Sequence, residues 1–325
     1  MLEYKFGGMQ FRLTPKSEGS VSFDLSSDGG TFRFTRNPGR AWQLPGPIKS
    51  YAFPDQARTY YQNASFLADL EQSYEQQLDG IYYLGPLREY PQRDYLWARS
   101  GYTDVGSKGE KTVDAILAMT SANEMRNVKH KARLKPFQEI VAYWLKEMGV
   151  IYKFHVEEIA PGSNRWQAKV TVRPSGTEVL LTDVGFGVSQ VLPVVTLLQF
   201  VPEGSTVILE QPEIHLHPLA QANLADVIIN AVTHRNVQVV LESHSEHLLL
   251  RLQRRIAEAI PQGVTSNDVS LYFCDWKDGK SKIEKLEVDM FGAIVNWPEH
   301  FMGDTFGEVS KAEMKRIERR RNLSE

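Results

Sequence analysis

A single cysteine, Cys274, is all that the 325-residue sequence contains. That excludes an intrachain disulfide and fits a reducing compartment. Long apolar runs are missing too. The longest, "VLPVVTLLQFV" at 191–201, is about half of the roughly 20 residues that a membrane helix needs. The N-terminus, "MLEYKFGGMQ", lacks the basic-then-apolar pattern of a secretory signal. The net charge is −3, so no global basic field draws in nucleic acid. With 42% hydrophobic and 24% charged residues, the composition is that of a folded protein with a substantial core. We expect it in the cytoplasm, with no membrane partner.

One further absence concerns chemistry. No G-x-x-x-x-G-K-[ST] phosphate loop occurs in the sequence. The nearest string, "GSKGEKT" at 106–112, has Glu110 inside the Gly-Lys step and no apolar strand before it. It reads as a decoy.

The patterning divides the chain. Residues 1–50 carry short alternating runs, "KFGGMQFRL", "SVSFDLS" and "TFRFTRN", with a turn signal at "SSDGG", and predict antiparallel strands. An amphipathic helix is predicted over 57–79. An apolar strand then stops at Gly85-Pro86 and presents Arg88 and Arg93. We take 1–108 as an N-terminal β lobe ending in this strand and the Arg88 loop. Residues 109–150 read as a helical insertion or lid, broken by Pro136. Strands return after 150. From 181 the pattern alternates: helix 188–200, strand 206–210, helix 218–232, strand 236–242, helix 245–259. Such alternation predicts an α/β fold, a mainly parallel sheet covered by helices, here over residues 151–264. The remainder, 265–325, is a C-terminal extension with a strand pair around "KDGKS" and a basic helix. Its aromatics Trp297, Phe301 and Phe306 read as packing anchors.

Function in parallel sheets gathers at the carboxyl ends of the strands. Two such ends fall at "VILEQPEIHLHP" (207–218) and "VVLESHSEH" (239–247). An acid closing a buried strand, here Glu210, is how a nucleotide site holds Mg²⁺ against phosphates. The following residue orients or deprotonates the attacking water; here it is Gln211. A histidine ending the adjacent strand, His244, can reach a terminal phosphate. Upstream, "LTDVGFGVSQVLP" (181–193) is a glycine-rich turn opening a helix, a geometry suited to anions. A plain strand-to-helix turn needing Gly185 and Gly187 for its backbone explains it equally.

These motifs, "DVGFGVSQVLP", "ILEQPEIHLHP" and "VVLESHSEHLLLRLQRR", resemble the signature, Walker B and histidine-switch regions of ABC-type ATPases. The prokaryotic AAA group related to the overcoming-lysogenization-defect (OLD) family is most similar, with RecF and SMC heads more distant. "YLGPLREYPQRDY" and "FGAIVNWPEHF" resemble that group as well. The resemblance implies an ABC-ATPase-like head using ATP and Mg²⁺. It makes Glu210 the Walker B acid and metal ligand, Gln211 the occupant of the usual catalytic glutamate position, and His244 the switch histidine. Gly185, Gly187, Ser189 and Gln190 become the signature that meets the nucleotide of a partner subunit, although their order departs from the LSGGQ-like pattern. Arg88 is placed near the nucleotide. It further implies a homodimer or higher oligomer, and an effector or nuclease partner in phage defence or DNA transactions. The family's phosphate loop would precede this segment, so ATP hydrolysis requires that loop, and Gln211 makes it slow.

Two basic runs, from Arg126 to Lys135 ("RNVKHKARLK") and from Lys311 to Arg321 ("KAEMKRIERRR"), are solvated helix faces or docking surfaces for DNA or an acidic partner. The scattered acids Asp275, Asp278, Asp289 and Asp304 make no nuclease cluster. Two other functions fit the same residues. One is a silent ATPase-like scaffold that docks a partner. The other is a metal-dependent hydrolase built from Glu210, Glu213, His215, His217, Glu242, His244 and His247. Against the hydrolase, a helix starting at Pro218 turns the rings of His215 and His217 apart. Metal analysis of the purified protein should therefore find no stoichiometric, tightly bound zinc. Its presence would favour the hydrolase.

Overall fold

The fold is described from a computed structural model that covers residues 1–325 except 18, 40–42, 48, 100, 102–103, 130, 278, 299–310, 312, 318 and 320–325. The anchors Phe301 and Phe306, and part of the basic run 311–321, lie outside the described residues. Two compact units emerge, Met1–Ile81 and Tyr82–Glu325.

In the first unit, β1 (Leu2–Phe6), β2 (Met9–Pro15) and β3 (Phe23–Asp28) form an antiparallel sheet. The run "KFGGMQFRL" is two strands rather than one. Gly7 and Gly8 both have positive φ, 55° and 77°, as a two-residue hairpin turn demands. The expected strand "TFRFTRN" is absent, apart from one bridge between Arg36 and Tyr61. Its Phe32 and Phe34 pack instead with Phe11 and Phe66 in an aromatic cluster. The helix expected over 57–79 is two, α1 (Gln56–Tyr60) and α2 (Phe66–Asp79).

The second unit begins with β4 (Ile81–Leu84) and β5 (Tyr95–Leu96), then α3 (Thr112–Ser121). A ribbon follows, β6 (Met125–Arg126) with β7 (Lys135–Pro136), before α4 (Phe137–Glu147). The segment 109–150 is thus not wholly helical. Pro136 starts α4 as its N-cap instead of breaking a helix, because proline fits a helix start and forces its predecessor to be extended. Next come β8 (Lys153–Glu158), β9 (Arg165–Thr171) and β10 (Val179–Leu180), which with β5 make an antiparallel sheet. The alternating part supplies α5 (Phe186–Phe200), β11 (Thr206–Glu210), α6 (Pro218–Arg235), β12 (Gln238–Glu242) and α7 (Glu246–Ala257). A hairpin of β13 (Leu271–Lys277) and β14 (Lys280–Leu286) ends the ordered strands.

Strands β11 and β12 are parallel, and the three-stranded order is β12-β11-β4. The pairing of β4 with β11 places the Arg88 loop in the second unit, so the division falls at Ile81, ahead of the boundary at 108 read from the sequence. Helix cover of this sheet is one-sided. Val207 and Leu209 are fully buried on one face, while Val240, on the other, is 52% exposed.

Helix α5 is mostly apolar and buried on every side from Val188 to Phe200, as a helix inside a core must be. It lies in one cluster with Ile116, Ile140, Leu145, Leu209 and Leu224. Each such side chain contributes about 1.5–3 kcal/mol. The C-terminal carbonyls of α5 have an uncommon partner. Arg235, buried at the end of α6, donates to Leu198 O at 2.7 Å and to Val201 O. Burial pushes its guanidinium down to about 10, helped by nearby Arg126 and opposed by Glu203. No helix among the described residues is long and apolar enough to cross a membrane.

Arg235→Met should destabilise the second unit by about 2–4 kcal/mol, since buried carbonyls lose charged donors. Urea unfolding followed through its core tryptophans, Trp97 and Trp144, measures this. A change under about 0.5 kcal/mol would show that the carbonyls find water instead.

Candidate functional site at the strand ends

The register of β11 and β12 sets Glu210 level with Glu242. Alternation along the strands turns both carboxylates to the open face, away from Val207 and Leu209. Tyr83 of β4 joins them there. Desolvation, and then a hydrogen bond with the Glu210 carboxylate, hold its phenol above the usual tyrosine range. Beyond the strand end the backbone kinks. Gln211 has φ 43°, a left-handed conformation that costs a non-glycine residue about 1–2 kcal/mol. Its N–H donates to Glu242 O at 2.9 Å, and its Nε2 to Glu242 Oε1 at 3.4 Å. The imidazole of His244 is 77% exposed, with Nε2 3.9 Å from the same Glu242 oxygen. Glu210, Gln211 and His244 thus stand together, gathered round Glu242.

A buried brace fixes this kink. Arg88 is 4% exposed. It donates from Nη2 to Glu210 O at 3.1 Å and from Nη1 to Gln211 O at 3.4 Å. Burial pushes its guanidinium down to about 10, while the charge of Glu213 works the other way. Glu213 is buried in turn, and its Oε1 accepts the backbone N–H of His244 at 2.8 Å. Arg88 therefore faces the protein backbone, whereas the sequence reading aimed it at nucleotide. Together the pair ties both strand-end loops to one another.

The signature residues divide. Gly185 is the exposed N-cap of α5, but Ser189 and Gln190 are buried. Ser189 Oγ donates to Phe186 O at 2.8 Å. The buried Nε2 of Gln190 has no partner among the described residues. Gly187 has a separate reason to be glycine, because a Cβ there would lie 2.6 Å from His215 O. The decoy at 106–112 does precede a helix, yet its own Glu110 fills it. That carboxylate accepts the N–H of Lys108 at 3.0 Å and sits against Gly106.

The two histidines of the β11–α6 loop have other roles. His215 packs edge-on against Phe186, with centroids 4.8 Å apart, and His217 caps α6 through Nδ1, which accepts from Leu219 N at 3.4 Å. Among the described residues no three His, Cys, Asp or Glu side chains are grouped to hold a metal. The metal-hydrolase alternative therefore lacks its cage. Mg²⁺ asks less of the protein: one or two carboxylates suffice when phosphates and water complete its shell. Glu210 and Glu242 fit that demand. Sequence reading gave no role to Tyr83 or to the backbone brace formed by Arg88. Alternation in "IYYLG" could have put Tyr83 on an exposed face, but nothing local signals a buried arginine.

Residues 10–251 match the family described as AAA domain, putative AbiEii toxin, Type IV TA system. Residues 264–311 match a protein family of unknown function, DUF3696. No curated protein matches the chain. Among solved structures, the SMC head domain from Thermotoga maritima is similar at 9% identity, over 88% of this chain and 73% of that one, with a TM-score of 0.37. The Smc head domain with an extended coiled coil bound to the C-terminal domain of ScpA, from Pyrococcus furiosus, is similar at 13% identity, over 55% of this chain and 36% of that one (TM-score 0.34). An SMC ATPase described for ATP-driven dimerization and DNA-stimulated activation is 13% identical over 46% of this chain and 83% of that one (TM-score 0.35).

Arg88→Met should cost about 3–5 kcal/mol, since it leaves Glu213 buried without its cation. Adding Glu213→Gln should recover about 1 kcal/mol or more of that loss. Additive effects in the double-mutant cycle would mean that the two side chains do not act as one brace.

Proposed function

The chain belongs to the family described as AAA domain, putative AbiEii toxin, Type IV TA system, and on that premise we propose that it is a nucleotide-driven switch of the ABC-type ATPase kind. One observation carries the reading. Glu210, Gln211, Glu242 and His244 converge at the ends of two parallel strands, where a nucleotide's terminal phosphate would meet an acid, an amide and an imidazole. Bound Mg²⁺·ATP supplies an electrophilic phosphorus and charge neutralisation. Glu210, with Glu242 beside it, would hold the metal. Gln211 orients a water through its amide, which accepts no proton, and His244 donates to the terminal phosphate. The left-handed backbone at Gln211 and its bonds to Glu242 fix the amide's aim.

Phosphate binding needs a loop in addition to these residues, because Glu110 fills the glycine-lysine loop at 106–112. The exposed Gly185 at the start of α5 is suited to a partner's nucleotide. Burial of Ser189 and Gln190 limits that contact to the turn itself. A homodimer or higher oligomer follows from this division of the site. We place the chain near the OLD group on its motifs, acting with a nuclease or other effector in phage defence or DNA transactions.

A second reading, the silent scaffold, is favoured by the same filled loop and by Gln211. The two part on a measurement. With Mg²⁺·ATP, in a protein or complex that supplies the phosphate loop, Gln211→Glu should raise the hydrolysis rate about 10²-fold or more, the usual worth of a general base. Glu210→Gln should abolish hydrolysis. No change from Gln211→Glu, with no ATP binding to either protein, would leave the scaffold standing.

A further inference from the structure

The run 126–135 is a hairpin rather than a helix face. The ribbon β6–β7 closes over residues 127–134, and Ala132 N donates to Lys129 O at 3.0 Å in its turn. Five cations, Arg126, Lys129, Lys131, Arg133 and Lys135, lie in this stretch with no acid between them. Flanking Glu124 pairs with Arg126 at 3.6 Å. Lys129, Lys131 and Arg133 are exposed, and among the described residues neither they nor Lys135 has an ion-pair partner.

Elsewhere the chain pairs its cations readily. Lys49 meets Glu75, Arg165 meets Asp94, Lys169 meets Glu157, and Arg251 and Arg255 share Asp226. A protein of net charge −3 has acids to spare, yet among the described residues only Glu124, at the Arg126 end, comes here. The backbone adds a second observation. Lys131 has φ 62°, a left-handed turn position that glycine or asparagine fills at lower cost. Strain of this kind, kept for a charged side chain, points to use outside the fold.

The hairpin is also held from behind. Asn230 of α6 donates to Val128 O at 2.9 Å, and His234 Nε2 bonds Asn127 Oδ1 at 3.1 Å. Both anchors lie in the last turns of α6, whose first turn His217 caps. At 1.5 Å per residue, the hairpin stands on the order of 20–25 Å from the β11 loop. It is too far to touch a nucleotide at Glu210.

We propose that the β6–β7 hairpin grips the phosphate backbone of DNA, without reading its sequence. Spaced, unpaired ammonium and guanidinium groups on a fixed loop suit phosphates and displace their counterions. The proposal is independent of the nucleotide reading, because its assay contains no nucleotide. The experiment measures fluorescence anisotropy of a labelled 30-base-pair duplex, and of one of its strands alone, with the full protein at several salt concentrations. Affinity should fall steeply with salt, with a logarithmic slope near −3 for about three phosphates. The triple variant Lys129→Gln, Lys131→Gln, Arg133→Gln should bind at least about tenfold more weakly at low salt, with a slope smaller by about 2–3. Its thermal melting should match the parent's, since the three side chains hold no partner. Loss of either polymer in the triple variant supports the proposal. It is overturned if the parent binds neither polymer at low salt, or if the triple variant binds as the parent does. Retention by anionic phosphatidylserine vesicles but not by DNA would also overturn it.

Discussion

A buried guanidinium decides the shape of the strand ends. Arg88 reaches the carbonyls of Glu210 and Gln211, and those carbonyls can point inward only because the chain at Gln211 turns left-handed. Without the donor, a strained kink would enclose two unsatisfied acceptors. With it, the kink becomes the stable form, and the side chains of Glu210 and Gln211 are delivered to one spot. Glu213 extends the same logic across the gap to β12, since its carboxylate accepts from the backbone of His244. The geometry of four side chains thus depends on one buried cation whose hydrogen bonds go to the backbone. Its charge is sustained by a nearby acid against the pull of burial.

Arg235 repeats the device at the other end of the same helices. There a buried guanidinium satisfies the last carbonyls of α5. Both arginines do work that backbone amides usually do, and each joins segments far apart in sequence. Between them runs α6, capped by His217 beside the kink and closed by Asn236 in a left-handed conformation. Asn223 binds the carbonyls of Glu147 and Met148 at the end of α4 on its way. The core is therefore organised by polar ties at helix ends around one helix buried on every side.

Local patterns made much of this legible. The strand at 206–210, the helix start at Pro218 and the strand ending at Glu242 all carry period, proline and capping signals that act within a few residues. Their juxtaposition followed from the parallel pairing that strand-helix-strand order demands. What stayed hidden was non-local. A buried arginine looks like a surface arginine until its carbonyl partners are known. The hairpin at 126–135 has no local signal beyond its charge, which fits a helix face or a docking surface alike, although Pro136 already requires Lys135 to be extended. Burial of Ser189 and Gln190 depended on how α5 packs on every side, which the glycines before it do not tell.

Strand β12 closes its sheet on one side, with no further strand beyond it among the described residues, and Val240 is exposed near its middle. An unpaired apolar edge is a template on which another chain can add a strand, and charge at its ends is a common guard against that. Glu242 supplies such a charge. The carboxylate that gathers Gln211 and His244 is thus also the charge at the end of this edge strand. Replacing it by a neutral residue would change both the strand-end cluster and the charge of this edge, so solubility at high concentration is a second measure of what Glu242 does.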